Sequence, residues 1–158
     1  GLPIRVGEGE HDDRFRIAVL RVEHGLGPVL RVAVRIQVAA AVIRHSGSIL
    51  ISSRAEGEFR GYWEFPGGKI HPGESPAECT EREILEELDT RIIALDTIFR
   101  ASYDYTGKSV EIFFVRAFWV EGSVLNPLDG QQVEWLKPGE IRAKKILPAD
   151  MEFVGLFF

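Results

Sequence analysis

Apolar and polar positions alternate along the chain in short β-branched runs, broken by turn signals and by one strongly marked helix. Arg14–Val22 and Val29–Arg35 flank Glu23-His24-Gly25-Leu26-Gly27-Pro28, a spacing that predicts a hairpin. Ile36–Arg44 holds the nearly continuous apolar stretch Val38–Ile43. After the turn Ser46-Gly47-Ser48, Ile49–Ser52 completes a second hairpin. Residues 55–62 form a polar, Gly-containing loop. Strand-like runs at about 91–103 and 109–120 are joined by Tyr105-Thr106-Gly107-Lys108. A loop, Glu121–Gln132, leads to a short strand at Val133–Leu136. Lys137-Pro138-Gly139-Glu140 opens a short helix, and Pro148 opens a terminal one on which Met151, Val154 and Phe158 share a stripe.

The marked helix begins at Ser75. That hydroxyl suits an N-cap, Pro76 the first helical position, and Glu78 completes a capping box. Ala77, Ile84, Leu85 and Leu88 recur at helical spacing as its expected core face, and the helix is expected to stop near Asp89-Thr90. At 100° per residue, Glu83, Glu86 and Glu87 fall within an arc of about 100°, away from Ile84 and Leu88.

Composition narrows the function classes. With 158 residues the chain fits one domain large enough to bury a core without disulfide or metal. A net charge of −5 argues against a nucleic-acid polymer as partner, though not against a single nucleotide. Cys79 is the sole cysteine, so no intrachain disulfide can form, which suits a reducing cytoplasm. No apolar run is long enough for a membrane span, and the first residues lack the blocks of a signal peptide. A cytoplasmic protein with no membrane partner is the expectation.

Three clustered glutamates need an explanation. An acidic helix face is most often simply solvated, and like charges at i,i+4 cost a helix a few tenths of a kcal/mol per pair. Hard divalent cations, which prefer oxygen ligands and bridge to phosphates, would relieve that repulsion. The glycines ahead of the helix allow close backbone approach to a ligand. The wider spacing decides between these readings. Gly68, Glu74, Arg82, Glu83, Ile84, Glu86 and Glu87 stand in a register that resembles the Nudix box, and average residue usage makes a chance match on the order of one in 10⁷ to 10⁸. Two positions depart from it: Asp89 stands where that family has Gly, and Thr90 where it has an aliphatic residue. Asp tolerates a left-handed helix end better than most residues.

The resemblance continues through Ile49–Ala55, Trp63–Ile70, Asp129-Gly130-Gln131 before Glu134-Trp135, and Leu147–Asp150, all similar to the MutT-type branch. It implies an α/β fold, an α/β/α sandwich around a mixed β-sheet with a loop–helix–loop catalytic motif. Residues 36–158 would be the hydrolase domain and 1–35 an N-terminal extension of tail plus hairpin. It also implies Mg²⁺, with Mn²⁺ as substitute, bound by Glu83, Glu86 and Glu87 with help from the Gly68 carbonyl. Arg82 would orient the glutamates and Glu74 support them. Asp129 sits where MutT-like proteins often carry a further acidic ligand or base, but an aspartate before Gly130 also suits a plain turn. Arg54 and Lys69 look like phosphate-facing cations, against the alternative of ordinary surface charges. Phe65 and Asp150 correspond to positions near the base, although Asp150 equally suits the first turn of the last helix. Trp63 and Tyr103 read as core aromatics, Cys79 as a small structural residue and His71 as a loop residue without metal-binding company.

The activity so implied is hydrolysis of a nucleoside triphosphate to monophosphate and pyrophosphate. An oxidised purine such as 8-oxo-dGTP leads as substrate, with a pyrimidine triphosphate close behind. A nucleotide sugar or dinucleoside polyphosphate is the alternative within the family, one that a homodimer built through the extension would favour. A catalytically silent nucleotide-sensing domain is the alternative outside it.

Overall fold

The computed structural model describes residues 16–24, 27–105 and 108–158. The expected tail before residue 14, and the turn centres at 25–26 and 106–107, lie outside the described residues.

Strand β1 (Arg16–His24) pairs antiparallel with the first part of β2 (Gly27–His45), in register from Arg16 opposite Arg35 to His24 opposite Gly27. The sequence suggested a break near residue 35. Instead β2 runs without interruption for 19 residues. It can do so because different partners occupy successive stretches of it. One edge carries β1, then β5 (Gly67–Lys69), then β3 (Ser48–Ser53), all antiparallel. The other edge pairs in parallel with β7 (Lys108–Trp119) from Val34 to Arg44. β6 (Ile92–Tyr105) lies antiparallel on β7, while β4 (Trp63–Glu64) and β8 (Val133–Leu136) pair with β3. The result is a mixed sheet, as the sequence implied.

Successive side chains of a strand point to opposite faces, and β2 shows this in its burial partners. Ala39, Ala41 and Ile43 face α1 (Pro76–Leu88), packing with Leu50, Val115, Ala117, Cys79, Ile84 and Leu88. Ala40 and Val42 face the opposite layer, with Ile49, Ile51, Phe114, Ile141, Leu147, Phe153 and Val154. That layer comprises α2 (Pro138–Ile141), a 3-10 turn at Pro148–Asp150 and α3 (Met151–Phe157). Helices on both faces of the mixed sheet make the α/β/α sandwich.

Two helical faces differ from expectation. On α1 the buried residues are Cys79, Thr80, Ile84 and Leu88, whereas Leu85 is 40% exposed and Ala77 only half-buried. Thr80 can be buried because its hydroxyl donates to the Pro76 carbonyl at 2.7 Å, leaving its methyl to pack. On α3, Phe153 and Val154 are buried and Met151 is exposed. Periodicity specifies a stripe, but the sheet beneath fixes its phase.

Both ends of α1 are capped as the sequence required. Glu78 N–H donates to the Ser75 hydroxyl and Ser75 N–H to the Glu78 carboxylate, at 3.1 and 2.8 Å. Asp89 ends the helix in the left-handed region, φ 50°, and its N–H reaches the Leu85 carbonyl. Thr90 is buried where an aliphatic residue would be, and its hydroxyl has no hydrogen-bond partner among the described residues. Leaving a hydroxyl unmet in the interior costs about 1–3 kcal/mol. Thr90→Val is therefore expected to raise the melting temperature by about 2–4 °C. A calorimetric scan showing no rise would mean that the hydroxyl is satisfied by solvent.

Candidate active site

The segment entering α1 is pinned to the sheet by its backbone. Pro66 accepts from Ala41 N–H at 2.7 Å, and Ile70 N–H donates to Gln37 at 2.9 Å. A β-carbon on Gly67 would collide with the Ala39 carbonyl, and one on Gly68 with the Glu83 carboxylate. Glycine is thus required at Gly67, where backbone meets backbone, while a side chain at Gly68 would displace the Glu83 carboxylate.

Arg82 organises the acidic face. Its Nε and Nη2 grip both oxygens of Glu74 at 2.6 and 3.0 Å, and Nη1 reaches Glu83 at 2.9 Å and Glu86 at 3.1 Å. Nη2 also donates to the Lys69 carbonyl at 3.0 Å. Glu74 accepts from His71 N–H as well, and these bonds, that from Arg82 foremost, hold its carboxyl down at about 2. Cys79 is fully buried, its thiol directed at the Gly68 and Lys69 carbonyls at 3.5 and 3.4 Å. Burial, with the negative charge of Glu74 behind it, pushes that thiol up to about 12, so it remains protonated and structural.

Glu87 stands apart from this Arg82 cluster. Burial first, then the charges of Glu83, Glu64 and Asp129, push its carboxyl up to about 8. It borders an open cleft of about 220 Å³, lined also by Ser52, Ser53, Arg54, Glu64, Asp129 and Gln131. Arg54, also lining the cleft, pairs with both oxygens of Glu64 at 3.1 and 3.2 Å. The acidic loop is fastened to the end of α1: Asn126 N–H donates to the Leu88 carbonyl, and Leu128 N–H to that of Glu87, each at 2.9 Å.

Of the residues singled out from sequence, Arg54, Glu87 and Asp129 therefore meet at one cleft, with Glu83 beside Glu87 and Gly68. Glu74, Arg82 and Glu86 form the adjoining ion-pair cluster. Lys69 contributes its backbone carbonyl to that cluster, while its side chain lies on the exposed side of β5. Phe65 and Asp150 come together on the far face of the sheet and do not line the cleft. Phe65 is buried among Phe114, Phe153 and Phe158, and its N–H donates to the Asp150 carboxylate at 3.1 Å. Trp63 is a core aromatic as expected, and Tyr103 packs partly buried against the same cluster. Glu64 was not foreseen, although it lies inside the Trp63–Ile70 resemblance. Nothing local distinguishes it, and only the fold places it between Arg54 and Glu87.

Asp150 is an almost fully buried carboxylate. Burial, aided by the Glu64 charge, raises it to about 8 despite the bond from Phe65 N–H. A folded-state value above the unfolded one favours the neutral form, so stability falls as pH climbs from about 4 to 8. Asp150→Asn keeps an acceptor for Phe65 and removes that loss. Its melting temperature is expected to exceed the wild type by at least about 5 °C at pH 9, with the gap narrowing toward pH 5. A gap independent of pH would show that Asp150 is not held neutral.

Among the described residues no three acidic, His or Cys side chains converge as a closed metal cage. The donors nevertheless suit a hard cation. They are oxygens on adjoining walls, with Glu87 destabilised by like charge and Glu86 exposed enough to swing from Arg82.

A family model, the NUDIX domain, matches residues 34–157. This chain belongs to the Nudix family. An 8-oxo-dGTP diphosphatase of Haemophilus influenzae is 32% identical to this Nudix hydrolase, over 75% of this chain and 88% of the relative. A CTP pyrophosphohydrolase of Escherichia coli is 29% identical, over 77% and 90%. Among solved structures, the E. coli ORF135 protein superposes with a TM-score of 0.67 at 28% identity, covering 78% of this chain and 88% of that one. The MutT protein of Methanosarcina mazei gives 0.66 at 25%, covering 78% and 92%. The protein is accordingly an enzyme acting on phosphorus-containing anhydrides, in a family that generally uses a divalent metal and small nucleotide substrates. Among the described residues no helix is long and apolar enough to cross a membrane.

Proposed function

We propose that this Nudix hydrolase converts a nucleoside triphosphate, with Mg²⁺, to the monophosphate and pyrophosphate, an oxidised purine triphosphate such as 8-oxo-dGTP being the leading substrate. The observation that carries the proposal is the cleft itself. Its lining brings one guanidinium, Arg54, together with the carboxylates of Glu64, Glu87 and Asp129, a cation for phosphate beside oxygens for a metal. Glu83, Glu86, Glu87, Asp129 and the Gly68 carbonyl would hold the cation, whose chemistry there is to neutralise phosphate charge and acidify a bound water. Arg54 and Lys69 steady the phosphates. Water adds to one phosphorus, the bridging P–O bond breaks and a carboxylate accepts the water's proton. Glu87 and Asp129, which border the cleft, are the candidates for that role. Asp150, within reach of the Glu64 charge that also acts on Glu87, and Phe65 bonded to it are the candidates for reading the base. Residues 36–158 form the catalytic unit and 1–35 an addition to it.

The purine reading draws on the 8-oxo-dGTP diphosphatase relative. A pyrimidine triphosphate is the second reading, because the CTP pyrophosphohydrolase matches just as much of the chain. Incubation with Mg²⁺ and a panel of canonical and oxidised triphosphates, nucleotide sugars and dinucleoside polyphosphates separates them by chromatography of products. Monophosphate plus pyrophosphate from one triphosphate identifies the base. Cleavage only of a nucleotide sugar or dinucleotide would sink the triphosphate reading while keeping the reaction type.

A further inference from the structure

Gln131, which lines the cleft, has its side-chain amide engaged at both ends. Its Nε2 donates to the Glu87 carbonyl at 3.1 Å, and its Oε1 accepts from Asp129 N–H at 2.8 Å. The Glu87 carbonyl belongs to the last turn of α1, where no intrahelical donor is available. Leu128 N–H takes its second lone pair at 2.9 Å. On the other side of the bracket the loop is tied to β3: Ser53 N–H donates to the Gln132 carbonyl, and Gln132 N–H to the Ser53 hydroxyl, at 2.9 and 3.0 Å. Between these two moorings sit Asp129, exposed, and Gly130 with φ 74°. Two carboxylates brought to one cleft repel, and an exposed loop would relax that repulsion by moving away.

We infer that Gln131 is a positioning residue that brackets the acidic loop to the end of the box helix, fixing Asp129 relative to Glu87 across the cleft. The inference rests on the proposed reading of that cleft as the hydrolytic site. Its chemistry is specific to an amide, because one arm must donate and the other accept. Methionine has similar length and supplies neither. Glutamate keeps the acceptor for Asp129 N–H but cannot donate to the Glu87 carbonyl.

The test compares wild type, Gln131→Met and Gln131→Glu. Turnover is measured on whichever triphosphate the wild type cleaves, Mn²⁺ binding to the free protein by water-proton relaxation, and stability by thermal melting. Small displacements of reacting groups cost up to about 100-fold in rate. Gln131→Met is expected to lower kcat by about 10- to 100-fold with KM within about 2-fold. It should weaken Mn²⁺ binding by at least about 5-fold, and amide exchange should quicken at residues 128–131 alone. Gln131→Glu should keep Asp129 N–H protected yet still lose turnover, because its helix arm is gone. Unchanged Mn²⁺ binding and turnover in Gln131→Met would overturn the inference. So would losses that track a fallen melting temperature and vanish on cooling. If the wild type cleaves no triphosphate, the functional reading fails, while the Mn²⁺ and exchange comparisons still decide whether Gln131 sets the geometry.

Discussion

Glu87→Gln is expected to lower kcat by about 10²- to 10⁴-fold in Mg²⁺, the range over which a positioned acid–base group acts, while making the metal-free protein more stable. Both effects have one origin. Glu87 is brought out of water beside Glu83, Glu64 and Asp129, and its carboxyl is pushed up to about 8. Because the folded value lies above the ordinary 4.5, the fold prefers the neutral side chain, and stability drains away as pH rises from about 4.5 through 8. Glutamine has the shape of the neutral form at every pH. The variant should therefore melt above the wild type at pH 9 and close to it at pH 5, in the presence of a chelator. Turnover assays and melts on the same preparations check both halves. A variant that kept its activity would remove Glu87 from the reaction, and one that melted lower at pH 9 would remove the strain argued for the carboxylate.

Arg82→Ala is expected to cost about 2 kcal/mol of stability and most of the activity. The side chain donates to three glutamates and a carbonyl, and Glu74 and Glu83 retain only 13% and 14% side-chain exposure. Removing the cation strands both carboxylates, a change that costs 3–5 kcal/mol in full burial; the partial exposure of Arg82 justifies the lower figure. The pH dependence runs opposite to that of Glu87. Glu74 is held at about 2, so its contribution is present above the ordinary 4.5 and lost as pH falls toward 2. The gap between wild type and Arg82→Ala should be widest near neutrality and shrink in acid. Arg82→Lys, which keeps the charge without the planar fork, should fall between them. A gap that stayed constant down to pH 3 would mean that the Glu74 pair adds nothing.

What could be read from sequence was mostly local. Ser75, Pro76 and Glu78 announce the start of α1 because capping involves neighbours along the chain, and Asp89 could be assigned its left-handed turn for the same reason. The register of the box was legible through spacing alone, and family membership bears out the resemblance it carries. Facts that depend on distant segments were not legible. Glu64 matters because Arg54 and Glu87 close around it, and nothing in Trp63-Glu64-Phe65 says so. Leu85 and Met151 lie on plausible stripes, yet the helices sit rotated so that Thr80 and Phe153 take the buried places. Phe65 packs in the layer opposite α1, and its N–H meets the Asp150 carboxylate, a contact across 85 residues that a linear pattern does not contain.

The unbroken course of β2 has a mechanical consequence. The family match begins at residue 34, inside a strand that runs from Gly27 to His45. No linker separates the added ribbon from the catalytic sheet, so neither can pivot against the other without tearing a ladder. The same backbone continues to Ala39, whose carbonyl abuts Gly67 at the threshold of the box. The strand that pairs with β1 is thus the same strand that pairs, at Val38–Ala40, with the start of the box.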